Sequence, residues 1–177
     1  MPATTKPFLT LTAADLMSAP VLTIPQETSL REAARLLSRS SISGAPVVDG
    51  EGRCLGVLSS SDFVTWAKAG GEAESKGERV SFLTPWGEVI DITEYPDSEV
   101  RRYMTAQPVT VAPAAPVGEL AQKMVDAHIH RVLVVVDRNR PQGIVTSTDV
   151  LAAVARAAQQ AAQESKGPRR RARQRSS

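Results

Sequence analysis

Two short segments carry the residue types that could bind a small molecule: GVLSSSD at 56–62 and GIVTSTD at 143–149. In both, a glycine and two aliphatic residues are followed by hydroxyls at the first and third positions and an aspartate at the fourth. A helix that starts here presents free N–H groups and the positive end of its dipole, which suit an anion such as phosphate. The carboxylate can accept two hydrogen bonds from a ribose diol. The pattern predicts a ribose-phosphate site made of Ser59, Ser61, Asp62, Thr146, Thr148 and Asp149.

The same residues also have a purely structural explanation. Ser, Thr and Asp are ordinary helix N-caps, and either segment alone is better explained by capping than by binding. A cap needs one oxygen, whereas both copies keep two hydroxyls and a carboxylate in the same order. This redundancy favours a ligand, and capping stays open as the alternative.

The two segments end the copies of a longer internal repeat. The stretch that begins at Met17 aligns with the stretch that begins at Met104, and Asp49 aligns with Asp137, at a constant offset of 87 to 88 residues. Each copy predicts the order β-α-β-β-α: a short strand, an amphipathic helix, a hairpin of two apolar strands and a final helix. The sequence therefore predicts a mixed α/β (α+β) fold built from two similar units.

Turn residues and apolar periodicity give the bounds of the predicted elements. The strands are Val21–Ile24, Ala45–Val48, Leu55–Leu58, Val109–Val111, Val132–Val136 and Gly143–Val145. The first helix of copy one begins after Ser29, which forms a capping box with Glu32, and that of copy two begins after Pro116. The final helices begin at Ser61 and Thr148, and the second of them runs towards Gln163.

Residues 69–100 have no counterpart in copy two. Their polar, glycine-containing part up to Gly77 predicts a mobile loop. The part from Phe82 to Ile92 is too apolar for a free linker, and we expect Phe82 and Trp86 to cover the body of the protein. A lid or a dimer contact is the alternative.

Composition excludes several functions. Cys54 is the only cysteine, so no intrachain disulfide forms, and His128 and His130 lack further ligands for a metal. No apolar run reaches the roughly 18 residues of a membrane span, and no secretion signal is present, so we expect a cytoplasmic protein with no membrane partner. Neither a nucleophile elbow nor a Gly-Lys-Ser/Thr phosphate loop occurs, which argues against an enzyme.

The net charge of +2 arises in the C-terminal tail. From Lys166 onward the chain carries six basic residues and no acid, which leaves the remainder at −4. The body is therefore mildly acidic, and only the tail could attract an anionic partner such as nucleic acid. A solvated, disordered tail is the alternative.

The Met-Ser/Thr start of each copy, the hairpin GAPVVDGEGRCLGVL and the two glycine, hydroxyl and aspartate endings resemble a pair of cystathionine β-synthase (CBS) domains, a Bateman module. The chain looks like a stand-alone bacterial-type member, and the resemblance covers about Ala14 to Ala67 and Arg101 to Ala155. It implies two repeats packed through their sheets around a pseudo-twofold axis. It also implies two clefts that take AMP, ADP, ATP or sometimes S-adenosylmethionine, no cofactor otherwise, and pairing into homodimers.

The resemblance implies a role for each site residue. The two aspartates match those that hold ribose hydroxyls, and the motif hydroxyls match those near ribose and phosphate. The first strands match segments that line the adenine, and a His-Arg pair matches one whose arginine contacts phosphate: Val21, Leu22, Val109, Thr110, His130 and Arg131. The corresponding positions of copy one are Ser43 and Gly44, which carry no charge, so we expect the Asp149 cleft to bind more tightly.

The expected organisation is an N-terminal extension (1–13), repeat 1 (14–68), an insertion (69–100), repeat 2 (101–160) and a basic disordered tail (161–177). The expected function is a regulatory module that senses an adenine nucleotide and alters dimer contacts or contacts with an unidentified effector protein. Two alternatives remain: a ligand-free dimerisation scaffold, and binding of an anionic partner through the arginine-rich tail.

Overall fold

Each half of the sequence forms its own sheet with flanking helices, which confirms the mixed fold of two similar units. The computed structural model describes residues 6–68, 80–83, 89–92 and 96–166. The helices are α1 (Ala13–Leu16), α2 (Leu30–Arg39), α3 (Ser60–Lys68), α4 (Val117–Asp126) and α5 (Ser147–Lys166). The strands are β1 (Ile24–Pro25), β2 (Gly44–Val48), β3 (Cys54–Ser59), β4 (Val80–Leu83), β5 (Val89–Ile92), β6 (Thr105–Ala106), β7 (Thr110–Val111), β8 (Arg131–Val136) and β9 (Arg140–Thr146).

The amphipathic helices form where the apolar period predicts them. The Ser29 hydroxyl accepts a hydrogen bond from the backbone N–H of Glu32 at 3.2 Å and so caps α2. One stripe of α2 is fully buried against the first sheet: Leu30, Ala33, Ala34 and Leu37. Helix α4 begins after Pro116 and buries an equivalent stripe in the second core: Val117, Leu120 and Met124.

The two sheets share one topology. In the first, β1 runs parallel to β2 and β2 runs antiparallel to β3; in the second, β7, β8 and β9 repeat this arrangement. In both sheets the short first strand, β1 or β7, lies next to the first strand of the hairpin that follows it in the same repeat. Each sheet is covered by its helices, and two separate apolar clusters result.

The first residues of each repeat pack on the other repeat. Thr105 and Ala106 form β6, which extends the first sheet along β3. Ser18 pairs with Ile144 of β9, with N–H···O distances of 2.9 and 3.2 Å. Ala13 is buried in the second core and Val100 in the first. The two repeats therefore exchange their leading segments, because each segment completes an apolar cluster in its partner.

Several observed bounds differ from those predicted. β1 and β7 are shorter than expected, β9 begins at Arg140, and α3 and α5 begin at Ser60 and Ser147. Helix α5 continues to Lys166, so residues 161–166 are helical, whereas the disordered tail expected from the sequence begins at residue 161. An alanine-rich sequence sustains this helix, since alanine has the highest helix propensity.

The insertion contains regular structure. β4 and β5 form an antiparallel hairpin, and β4 lies beside α2. The predicted mobile loop up to Gly77, Trp86 and the tail beyond Lys166 lie outside the described residues, as does the side chain of Phe82.

No helix within the described ranges is both long and apolar enough to span a bilayer.

Asp15 holds the N-terminal segment in place. Its carboxylate accepts hydrogen bonds from the Lys6 ammonium at 2.7 Å and from the Thr12 N–H and hydroxyl, both at 2.9 Å. These bonds, that from Lys6 above all, lower the pKa of Asp15 from 3.8 to about 2. The carboxylate thereby links the segment before α1 to the first turn of that helix.

We expect Gly56→Ala to destabilise the protein more than Gly143→Ala. A Cβ at residue 56 would lie 2.6 Å from the backbone oxygen of Thr105, whereas at residue 143 its nearest neighbours all belong to the flexible Met17 side chain. Overpacking against backbone costs about 1–3 kcal/mol, and urea unfolding measures it. Gly50→Ala is the control, since nothing lies within 4 Å of its Cβ. Equal losses at 56 and 143 would contradict the close backbone approach.

We expect Lys6→Met to raise the pKa of Asp15 measured by carboxyl NMR titration, while the bonds from Thr12 keep it below 3.8. Because the folded pKa is depressed, the stability contributed by Asp15 is complete above pH 3.8 and is lost as the pH falls towards 2. Lys123→Met, which removes a cation from α4, is the control. An unchanged Asp15 titration in Lys6→Met would show that Lys6 does not make this contact in solution.

Candidate functional site

Both predicted motifs lie where a strand runs directly into a helix. In the first, the N–H and hydroxyl of Ser59 donate to Oδ2 of Asp62 at 2.7 and 2.8 Å. In the second, the N–H and hydroxyl of Thr146 donate to Oδ2 of Asp149 at 2.7 and 2.6 Å. The two junctions, β3 to α3 and β9 to α5, therefore place the same atoms in the same geometry.

The hydrogen bonds at Asp62 and Asp149 are those of an ordinary helix N-cap. Asp15 accepts the N–H and hydroxyl of Thr12 in the same way at the start of α1, outside both motifs. The capping alternative thus accounts for Oδ2 of each aspartate. A ligand would have to use the other oxygen, Oδ1, and the hydroxyls around it.

The two aspartates differ at Oδ1. In the first motif, Oδ1 of Asp62 accepts a hydrogen bond from the hydroxyl of Thr105 at 3.0 Å. In the second, Oδ1 of Asp149 has no hydrogen-bond partner among the described residues, and Ser18 occupies the position equivalent to Thr105. The Asp149 carboxylate therefore presents an unengaged oxygen, whereas the Asp62 carboxylate is closed by Thr105.

The hydroxyls at the third motif position are less buried than the aspartates. Ser61 is exposed and its Oγ lies 2.8 Å from that of Ser59, and Thr148 is exposed as well. Both hydroxyls lie on the solvent side of the helix start.

The predicted adenine-lining residues come directly after the exchanged segments in the chain, and two of them, Leu22 and Val109, pack against the core of their own repeat. Val21 and Leu22 follow Ser18, which pairs with β9 close to Thr146. Likewise, Val109 and Thr110 follow the segment that pairs with β3 close to Ser59. All four of these residues are partly buried: Val21, Leu22, Val109 and Thr110. Each motif is thus framed by both repeats.

Arg131 lies where the two repeats meet. Its backbone pairs with Thr146, but its Nη2 donates to the hydroxyl of Ser43 in the first repeat at 2.8 Å. Burial lowers the pKa of the guanidinium, and the charge of Asp62 partly opposes that shift. We expected Arg131 to serve the Asp149 cleft, yet its side chain points to the first repeat. His130 is exposed, and its carbonyl accepts the N–H of Ser147.

Three residues where the two repeats meet have roles that the sequence did not predict. Thr105 bonds Asp62, Ser43 bonds Arg131, and Gly44 leaves the space that the guanidinium occupies, since a Cβ there would lie 2.8 Å from Nη1. The sequence did contain one indication of this contact, because Ser43 and Gly44 align with His130 and Arg131 in the repeat. A glycine at this position leaves room for the long side chain of the arginine.

Two other features lie apart from the motifs. A cavity of about 310 Å³ lies between the N-terminal segment and α5, with Lys6, Phe8 and Arg156 in its wall and no motif residue. Within the described part of the chain, no three His, Cys, Asp or Glu side chains are placed to share a metal ion. Neither feature belongs to the predicted ribose-phosphate site.

Both repeats of the chain match one known family. Residues 13–69 and 100–156 each match the family model described as the CBS domain. The uncharacterized protein MJ1426 of Methanocaldococcus jannaschii is 27% identical over 158 residues, which cover 79% of this chain and 89% of that protein.

Solved structures give the same result. The CBS domain pair of protein MJ0100, in complex with 5′-methylthioadenosine and S-adenosyl-L-methionine, superposes with a TM-score of 0.64 at 26% identity, over 82% of this chain and 96% of that one. The structure of CBSX2 in complex with AMP superposes with a TM-score of 0.62 at 22% identity, over 82% and 96%, a likeness of fold alone. Two family matches, on the two halves that form the two sheets, make this chain a member of the CBS domain family, with its repeats arranged as a CBS pair.

Proposed function

We propose that the chain is a regulatory module that binds an adenine nucleotide or a related adenosine ligand between its two repeats. The observation that carries this proposal is the arrangement of charged side chains where the two repeats meet. Each of two aspartates is held by a helix cap close to a segment of the opposite repeat, and the guanidinium of Arg131 reaches from the second repeat to Ser43 of the first. Ribose hydroxyls and phosphate oxygens are the groups that such carboxylates and guanidinium groups recognise.

The proposed contacts follow the ligand from sugar to base. Asp62 and Asp149 hold the ribose diol, and the neighbouring hydroxyls of Ser59, Ser61, Thr146 and Thr148 lie near ribose and phosphate. The adenine ring packs against the leading segments, at Val21 and Leu22 in one cleft and at Val109 and Thr110 in the other. The related MJ0100 pair, which binds two adenosine compounds, supports this class of ligand.

We propose binding without catalysis. CBS pairs are generally regulatory modules, and a ligand held at the junction can bias how the two repeats pack. That bias can be no larger than the difference in the ligand's affinity for the two packings. The output passes to a second copy of the chain or to an effector protein, in the cytoplasm, where the lone Cys54 stays reduced.

A ligand-free scaffold is the competing function. The cap at Asp15 favours it, because the same hydrogen bonds form there without a ligand motif. The two functions differ in what a substitution at Asp149 changes: binding in one, stability alone in the other.

We expect isothermal titration with AMP, ADP, ATP and S-adenosylmethionine to give saturable binding that at least one of the variants Asp149→Asn and Asp62→Asn weakens. Asparagine keeps an oxygen for the helix cap but loses the charge, and a hydrogen bond to a charged group is worth about 1.5–3 kcal/mol, or about tenfold or more in affinity. Asp126→Asn, at the exposed end of α4, is the matched control.

One result would contradict the binding function. Absence of heat and of a thermal shift with all four ligands at millimolar concentration would reject the binding function and leave the scaffold.

We further propose that the chain forms a homodimer through α5. Leu151 and Val154 are 66% and 44% exposed on this helix, and they lie on one face, three residues apart. An exposed apolar stripe on a long helix suits a second copy of the same helix, because a twofold axis sets the stripe against itself.

We expect Leu151→Glu to weaken self-association by at least about tenfold, because a carboxylate in an apolar contact must be desolvated. Sedimentation velocity across a concentration series measures the change. Gln163→Glu adds the same charge to α5 about 120° around the helix and serves as the control. Equal association of the two variants would exclude this face as the interface.

A further inference from the structure

The side chain of Arg131 is seated against the opposite repeat. Its Nη2 donates to Ser43 Oγ at 2.8 Å, and its Nη1 fills the space that a side chain on Gly44 would take. A Cβ built on Gly44 would also lie 2.9 Å from Cβ of Ser59, the first hydroxyl residue of the Asp62 motif. The guanidinium therefore belongs spatially to the Asp62 cleft, although the residue belongs to the second repeat.

Most of the hydrogen-bonding capacity of this guanidinium is unused within the part of the chain that the structure describes. Among the described residues, one of its five N–H groups makes a hydrogen bond, the one to Ser43. Arginine keeps its charge at any physiological pH, and its planar fork matches two oxygens of a phosphate. The seat at Ser43 and Gly44 thus fixes a cation beside Asp62 with donors to spare.

The Asp149 cleft differs from the Asp62 cleft both in its charge and in its carboxylate. The residues of the first repeat that align with His130 and Arg131 are Ser43 and Gly44, so no arginine crosses back from that position to Asp149. Oδ1 of Asp149 is nevertheless unengaged among the described residues, which suits a ribose diol. The Asp62 cleft has the guanidinium, and the Asp149 cleft has the carboxylate oxygen that no described residue engages.

We infer that the two clefts divide the ligands by charge. The Asp62 cleft takes a phosphate-bearing adenine nucleotide, contacted by Arg131 from the second repeat, and Thr105 releases Oδ1 of Asp62 when the ribose binds. The Asp149 cleft takes an adenosine compound that has no phosphate. This inference rests on the proposed function and adds to it which cleft selects which ligand.

Titration of the full chain with AMP and with 5′-methylthioadenosine tests the division. We expect Arg131→Gln and Asp62→Asn to weaken AMP by about tenfold or more, the loss of a charge-assisted hydrogen bond, and to change methylthioadenosine less than about twofold. Asp149→Asn should do the reverse. Saturation with AMP should leave the methylthioadenosine isotherm in place, because the two ligands occupy different clefts.

The seat has its own test. Gly44→Ala should weaken the binding of AMP alone, because the new methyl group displaces the guanidinium. That methyl group would also lie 2.9 Å from the carbonyl oxygen of Leu58, so Ser43→Ala serves as the milder variant. Arg140→Gln, an exposed arginine at the start of β9, is the control for net charge. Thermal melts of each unliganded variant separate lost folding from lost binding.

Three results would overturn the inference. If Asp149→Asn abolishes AMP binding while Asp62→Asn leaves it intact, the arginine serves the other cleft, and the proposed function still stands. If AMP and methylthioadenosine compete for one site, the division by charge is wrong. If neither ligand binds, the proposed function fails and the inference fails with it.

Discussion

The exchange of leading segments is the constraint on which the rest of the structure depends. Thr105 and Ala106 add strand β6 to the first sheet, and Ser18 forms an isolated bridge to β9 of the second, so backbone hydrogen bonds join each sheet to the other half of the chain. Ala13 and Val100 carry the exchange into the two cores. Because backbone pairing and apolar burial both join the two repeats, their relative position is set, and each motif lies on a strand that pairs with a segment of the opposite repeat.

The candidate site is built on structural helix caps. Asp62 and Asp149 each use one oxygen to fix the start of a helix, as Asp15 does where no ligand motif occurs. A carboxylate held in this way loses little further freedom when a ribose binds, so the ordering cost of the ligand contact is already met by folding. Capping and binding are therefore compatible roles for the same side chain, and they are separated by the oxygen that each one uses.

The contact between Arg131 and Ser43 is where the proposed regulation would act. In the unliganded chain, the bond from Arg131 to Ser43 ties the second repeat to the first. A phosphate that engages the free donors of this guanidinium would strengthen or redirect the tie, and the relative packing of the repeats would follow. Arg131 begins β8, β8 pairs with β9, and β9 runs directly into α5. Under the proposed function, a change at Arg131 would reach the helix with the exposed apolar face through these elements.

The sequence by itself determined the two-unit fold, because a constant offset and matching periodicities repeat the same burial pattern twice, as the buried stripes of α2 and α4 confirm. It also located both motifs at strand–helix junctions, since hydroxyls and aspartates cap helices by local hydrogen bonds. Only the tertiary structure decided which repeat each leading segment completes and where the Arg131 side chain points. Those outcomes depend on contacts between residues almost ninety positions apart, such as Arg131 with Ser43, and no local pattern encodes the direction of a long side chain across a junction.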